Sequence, residues 1–359
     1  MGRNRKLSAL PIATAFIGTV VGAGFATGQE VFQFFTIYGR KGFLGIILCT
    51  ALFCYFGLII MRTSRTLNAS SHRELVELAG GPHLGRLLDW FITLSFLGVL
   101  VVMAAGSGAL AEEYINLPPL YGSLAIIILS FLTVISGVDN VIRAIGMIVP
   151  FLLVIVFSVT ILSIFKNPVT IQKLYLLEAL KPAVSNNWFF SAFIYVSFNL
   201  LLAIAILAPL GVQAQNNKAL AYGGILGGVG LGMGVLAISF AVLSGIPETL
   251  SFQVPMIFLA SRLNPAIAFL YGLVLFLEIY STAVSILYGF VARVANSKGT
   301  RFFWATLACG GALFASRLGF SRAITTIYPL LGLIGLVFLA SLVCLQAKEP
   351  LQALLKILK

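Results

Sequence analysis

Charge is scarce in this chain. Only 9% of the 359 residues are Asp, Glu, Lys or Arg, against roughly 25% in a soluble domain. So little polar side chain cannot cover a water-facing surface, which excludes an ordinary soluble globular protein. Acid is the rarer sign, with 11 Asp plus Glu against 23 Lys plus Arg. Histidine is rarer still: His72 and His83 share one polar loop, with no Cys or carboxylate at metal-ligand spacing around them. The four cysteines, Cys49, Cys54, Cys309 and Cys344, all fall inside apolar stretches and form no Cys-x-x-Cys pair. A disulfide framework and a zinc centre are therefore not expected. The aspartates, Asp89 and Asp139, lie near the ends of apolar runs. No nucleophile–base set or aspartate pair is thus available at membrane depth, and no enzyme is expected. The Gly-rich stretch 223–234 lacks a following Gly-Lys-Ser/Thr, so it is no phosphate loop.

What is abundant is apolar. Hydrophobic residues make up 60% of the chain, and there are 35 glycines, a residue commoner in membrane helices than in soluble ones. Since a bilayer solvates apolar surface directly and a span needs about 20 apolar residues, the chain is expected to be an all-α membrane protein. The candidate spans are 8–36, 42–61, 87–111, 120–136, 141–165, 188–210, 219–244, 264–292, 302–318 and 323–346. They form one transmembrane domain over 1–359, in two halves of about 8–165 and 188–346. The basic start, Met1 to Lys6, resembles the n-region of a signal peptide. The apolar stretch behind it is too long for an h-region, so it reads as a cytoplasmic tail before the first span.

The net charge of +12 does not point to nucleic acid, because the basic residues sit in short segments between apolar runs. With the N-terminus in the cytoplasm, fifteen of the 23 basic residues fall inside and eight outside. That bias places both termini in the cytoplasm of a cell-membrane protein. Between the seventh and eighth spans, Pro247, Glu248, Gln253, Pro255 and Arg262 interrupt an apolar stretch. A helical hairpin over one face of the bundle is expected there.

Polar residues at depth mark the candidate site. In the first span Gly18, Gly22, Gly24 and Gly28 lie near mid-span, and Thr27, Gln29, Glu30 and Gln33 follow at once. Each Gly lowers helix propensity by about 1 kcal/mol relative to Ala. The spacing also suits close helix packing, but an ionisable Glu30 beside the cluster marks a solute path. A break at 22–24 would expose backbone groups to a ligand, which is tolerated only where the backbone lines a cavity. The sixth span carries Tyr195 and Asn199, with Asn199 the candidate second break; paired breaks in matching spans point to a transporter binding site. The eighth span carries Glu278, Ser281, Thr282 and Ser285 on one helical face, continued by Tyr271. Glu112 and Glu113 read as interface residues or as a vestibule charge.

These residues carry a family resemblance. The run Gly22-Ala23-Gly24-Phe25-Ala26-Thr27-Gly28-Gln29-Glu30, with ten spans in this length, resembles the YkvI-type family of bacterial membrane proteins. More broadly the chain is similar to the amino acid–polyamine–organocation superfamily, with its five-plus-five inverted-repeat fold of the bacterial leucine transporter. That resemblance implies discontinuous helices 1 and 6. It implies a cation-coupled secondary transporter (sodium or proton symport) of an amino acid or related small amine. No organic cofactor is implied; sodium is the candidate ion, bound by carbonyls of Gly18 and Val21 with Ser281 and Thr282. The solute would meet Gly22, Ala23, Gly24, Thr27, Glu30, Tyr195, Asn199 and Glu278. The last and Glu30 depart from the superfamily pattern and point to proton coupling or a cationic solute. The alternative is a solute-sensing receptor subunit of the same fold, which would need partner subunits.

Overall fold

The glycines of the first span divide it into three short helices. In the computed structural model, which describes residues 6–68, 72–136, 148–295 and 297–357, α1 (Ala9–Val20) stops before Val21. Gly22 is extended, with φ −124° and ψ −172°. The chain then forms α2 (Ala23–Thr27), turns at Gly28 and continues as α3 (Gln29–Phe34). Gly28 has φ +81°, the left-handed region that glycine enters without a Cβ clash. A Cβ there would also crowd Met256 Cγ at 2.8 Å. Gly28→Ala should therefore destabilise the protein by about 1–3 kcal/mol, seen as a lower melting temperature in detergent. An unchanged melting temperature would show that the left-handed turn is not required.

The other main helices are α4 (Arg40–Leu67), α5 (His72–Ile115), α6 (Pro119–Ser136), α7 (Ile148–Lys166), α8 (Ile171–Glu178), α9 (Trp188–Gln213), α10 (Asn217–Ser244), α11 (Pro255–Leu263), α12 (Pro265–Val294), α13 (Lys298–Ala315) and α14 (Phe320–Ile357). Their starts follow local chemistry. Side chains of Asn187, Asn216 and Asn264 accept backbone N–H bonds in the first turns of α9, α10 and α12. A Ser297–Thr300 capping box begins α13.

Seven helices are long and apolar enough to cross a bilayer, or eight if the bent pair 150–166 and 171–178, at 109°, is one span. Ten were expected, and the other three have visible causes. The first is split by its glycines. The fifth was expected to begin at 141, and 141–147 lie outside the described residues, as does the start 1–5 with Arg3 and Arg5. The ninth, α13, has 18 residues with Lys298, Gly299 and Arg301 in its first turn. Large apolar side chains on the outside, such as Phe151 and Phe165, are 69% and 83% exposed, as suits lipid contact.

The helices associate in two groups. One packs α1, α4, α9 and α10 together; the other packs α5, α6, α12 and α13; α14 contacts α9 and α5. The glycines of α10 permit the first group's close approach, since a Cβ at Gly227 would overlap Phe16 and one at Gly228 the Cys54 backbone. The segment α2 packs against α5, α11 and α12, and its Phe25 ring reaches Gly234 of α10 in the first group. The expected hairpin is present as a 3-10 turn, Glu248–Ser251, and α11, whose Pro255, Met256, Ile257, Leu259 and Ala260 are buried.

One expectation fails: the sixth span is not discontinuous. Helix α9 runs unbroken from Trp188 to Gln213. The Asn199 amide donates to the Tyr195 carbonyl one turn back, at 2.9 Å, and so follows the helix instead of opening it.

Candidate functional site

The break in the first span leaves the backbone chemically available. The last carbonyls of α1 and the first N–H groups of α2 have no intrahelical partner, as at any helix end, and no side chain caps the start of α2. These groups sit in the interior, since Val21, Ala23, Gly24, Phe25, Ala26 and Thr27 are all buried.

Helix α12 lies along one side of α2. The Tyr271 hydroxyl donates to the Ala26 carbonyl at 2.5 Å. Thr282 Oγ1 is the nearest atom to a Cβ built on Gly22, at 3.9 Å. Residues 271, 278 and 282 share one helical face, seven and then four positions apart. Glu278 is therefore held on the face turned to α2, between the two contacts. It is 3% exposed, and its Oε2 has no hydrogen-bond partner. Ser281 is buried and donates to the Glu278 carbonyl at 3.0 Å, which leaves its lone pairs able to face a cation. Ser285, expected on the same stripe, is exposed and lies off the site.

Glu30 lies on another side of α2. The turn at Gly28 folds α3 back, so that the Glu30 carboxyl rests against Gly24, where a Cβ would overlap Oε2. The Tyr328 hydroxyl of α14 would be 3.2 Å from that same Cβ. Tyr195 and Asn199 of α9 also neighbour the carboxyl. Glu30 is 4% exposed. Neither Glu30 nor Glu278 has a Lys, Arg or His partner among the described residues, where ion pairs join Arg40 to Glu178 and Arg293 to Asp89.

Around Glu30 the wall is aromatic. Phe198 and Tyr328 stack with centroids 4.5 Å apart, and Phe34 lies 5.3 Å from Tyr195 and 5.6 Å from Phe198. The Tyr195 hydroxyl is buried without a hydrogen bond of ordinary geometry.

The expected site residues thus separate into groups. Gly22, Gly24, Glu30, Tyr195, Asn199, Glu278 and Thr282 are brought around α2. Gly18 and Val21 supply the α1 side of the gap. Thr27 is turned inward: its hydroxyl donates to the Gly24 carbonyl at 2.7 Å and accepts the Gln29 N–H at 3.3 Å. It closes the α2 turn and offers little to a solute. Ala23 is buried in the same turn.

Some participants were not anticipated. Tyr328 carried a signal, since it precedes Pro329 within an apolar span. Glu113, read as an interface residue or a vestibule charge, has partners that the sequence does not show: its carboxylate accepts the N–H groups of Gln253 and Val254, at 2.6 and 2.8 Å. The Gln253 side-chain oxygen accepts the Phe320 N–H at 2.9 Å, and Gln29 donates to Ser321 Oγ at 2.8 Å. A hydrogen-bonded series therefore joins α5, the hairpin, α14 and α3 at the hairpin end. At the opposite end Leu7 exchanges backbone bonds with Gln213 and Gln215, both at 2.8 Å, and Arg65 donates to the Ala214 carbonyl at 2.6 Å.

No protein-family model matches the chain. It is 33% identical to the "Uncharacterized membrane protein YkvI" of Bacillus subtilis (strain 168), over 95% of this chain and 97% of the relative. Among solved structures it is similar to MhsT in complex with L-phenylalanine, with a TM-score of 0.64 and 18% identity, over 93% of this chain and 89% of that one. It is also similar to a substrate-bound, outward-open Na+-coupled sialic acid symporter, with a TM-score of 0.57 and 14% identity, over 88% and 75% of the two chains. These likenesses establish the leucine-transporter-type fold.

Proposed function

Because the chain belongs to the YkvI family of bacterial membrane proteins, we propose that it is a secondary active transporter that couples a small amino acid or amine to a sodium or proton gradient. The observation that carries this reading is the interrupted first helix: the Val21 carbonyl and the Gly22 N–H make no backbone hydrogen bond, and they lie at a buried to half-buried break flanked by two buried carboxylates with no basic partner among the described residues. A buried carboxylate without a permanent counter-charge is costly at membrane depth and marks a pathway. Its exchangeable partners are a proton, a metal cation or a solute amine.

The division of helices suits alternating access. α1, α4, α9 and α10 would rock against α5, α6, α12 and α13, with α2 and its ligand at the seam. The hairpin series through Glu113 and Gln253 would seal one end, and the Leu7–Ala214 contacts the other. The basic-residue bias makes the Leu7 end, and both termini, cytoplasmic. The 8–165 and 188–346 halves would be the two inverted repeats. In the sodium arm, Thr282, the lone pairs of Ser281 and the carbonyls of Gly18 and Val21 are the cation's oxygen ligands. In the proton arm, Glu278 is the carrier.

Flux by the purified chain alone tests the reading. In proteoliposomes, labelled amino acids and amines are offered under an imposed sodium or pH gradient. Accumulation of one solute that collapses with one gradient is expected. Ligand binding without flux under either gradient would favour a sensor that needs partner subunits and would overturn the transport reading.

A further inference from the structure

We propose that the solute is a small organic cation, an amine without a carboxylate, and that Glu30 is its counter-ion. This rests on the transporter reading and narrows its amino acid or amine to the amine, a departure from a carboxylate-bearing solute.

The departure comes from what occupies Gly24. A free carboxylate bound at the interrupted helix would have to approach the backbone there, and glycine is the residue that admits such an approach. That space is filled by the protein's own carboxylate, since the Glu30 side chain lies against the Gly24 Cα. A second carboxylate brought to the same turn would meet Glu30 at close range, with no Lys, Arg or His among the described residues to offset the repulsion. A cation meets the opposite situation and supplies the charge that Glu30 lacks.

The walls suit a cation too. Tyr195 and Tyr328 set two phenol oxygens beside the carboxyl, and their buried rings pack with Phe34 and Phe198 at centroid distances of 4.5–5.6 Å. Aromatic faces beside a carboxylate attract ammonium groups, most strongly when water is excluded. The Tyr195 hydroxyl, buried beside the Glu30 carboxyl, keeps lone pairs that can accept an ammonium N–H. Asn199 gives one N–H to the Tyr195 carbonyl and has a second N–H beside Glu30, which helps hold the carboxyl in place.

The arrangement also separates the two carboxylates. Glu30 stands at the aromatic wall formed by α9 and α14, and Glu278 stands on α12 beside Thr282. Glu30 thus takes the solute and Glu278 the coupling ion.

Matched pairs test this on the wild-type protein. Leucine and 3-methylbutylamine, phenylalanine and phenethylamine, and ornithine and putrescine are each added to purified protein, with melting temperature and competition for flux as readouts. Each pair differs only by the carboxylate. At least one amine should raise the melting temperature and compete, while its parent amino acid does so at least tenfold more weakly. Glu30→Gln should weaken the active amine at least tenfold, and Tyr328→Leu should weaken it without abolishing insertion. An amino acid that binds while its amine does not overturns the inference and leaves the transporter reading standing. An amine bound equally by wild type and folded Glu30→Gln also overturns it. If no compound of either class binds or moves, both readings fall.

Discussion

Glu278→Gln should bind solute with near-normal affinity and fail to accumulate it against a gradient. The side chain is buried, lies on the α12 face that packs on α2, and leaves Oε2 without a hydrogen bond. Gln keeps the shape and removes the charge, so a carboxylate that carries a proton or helps hold a cation loses that role alone. Coupling energies between linked sites are about 1–3 kcal/mol, which corresponds to a loss of ~5–150-fold in the dependence of solute affinity on the coupling ion. Solute exchange, which needs no net ion movement, should persist. Binding at several pH values, with and without sodium, separates the outcomes. A variant whose affinity falls while its pH and sodium dependence remain would place Glu278 against the solute instead. A variant unchanged in both would remove it from the mechanism.

The second large effect distinguishes two glycines two residues apart. Gly24→Ala should abolish solute binding, and Gly22→Ala should leave it nearly intact. Gly24 is helical, so Ala suits its backbone, but the new Cβ would displace the Glu30 carboxyl. Removing one partner of a buried charged contact typically costs about 2–5 kcal/mol of binding. Gly22 is extended, a conformation open to any residue, and its Cβ would meet only Thr282 Oγ1 at 3.9 Å. Because Glu30 is the flexible end of a side chain, Gly24→Ala should still insert and melt near the wild-type temperature. Equal losses from both substitutions would mean that the glycines act through helix packing, not through the carboxyl.

The first break was legible because its cause is local: several glycines close together weaken one stretch of helix, whatever surrounds it. The stripe on α12 was legible for a similar reason, since helical spacing fixes which residues share a face. The hairpin announced itself by polar residues and prolines within an apolar run. Other features depended on distant partners. Asn199 looked like a helix breaker, but its amide finds the carbonyl one turn back and the helix survives. The left-handed turn at Gly28, which delivers Glu30 to Gly24, cannot be told from a packing glycine without knowing that α11 crosses there. The tie from Glu113 to Gln253 spans 140 residues and leaves no local mark. The extra helix α8 lies in a stretch of mixed polarity between two expected spans.

The central claim is that solute binds at the interrupted first helix, between Glu30 and Glu278. A structure of the protein with a bound compound from the amine and amino-acid series tests it most directly. The account predicts ligand density beside Gly24, with its polar end within hydrogen-bond distance of the Glu30 carboxyl and its body against Phe198 and Tyr328. Density instead in the surface groove of about 910 Å³ lined by Arg40, Lys41, Asn187 and Trp188, with the α2 region unchanged, would contradict it.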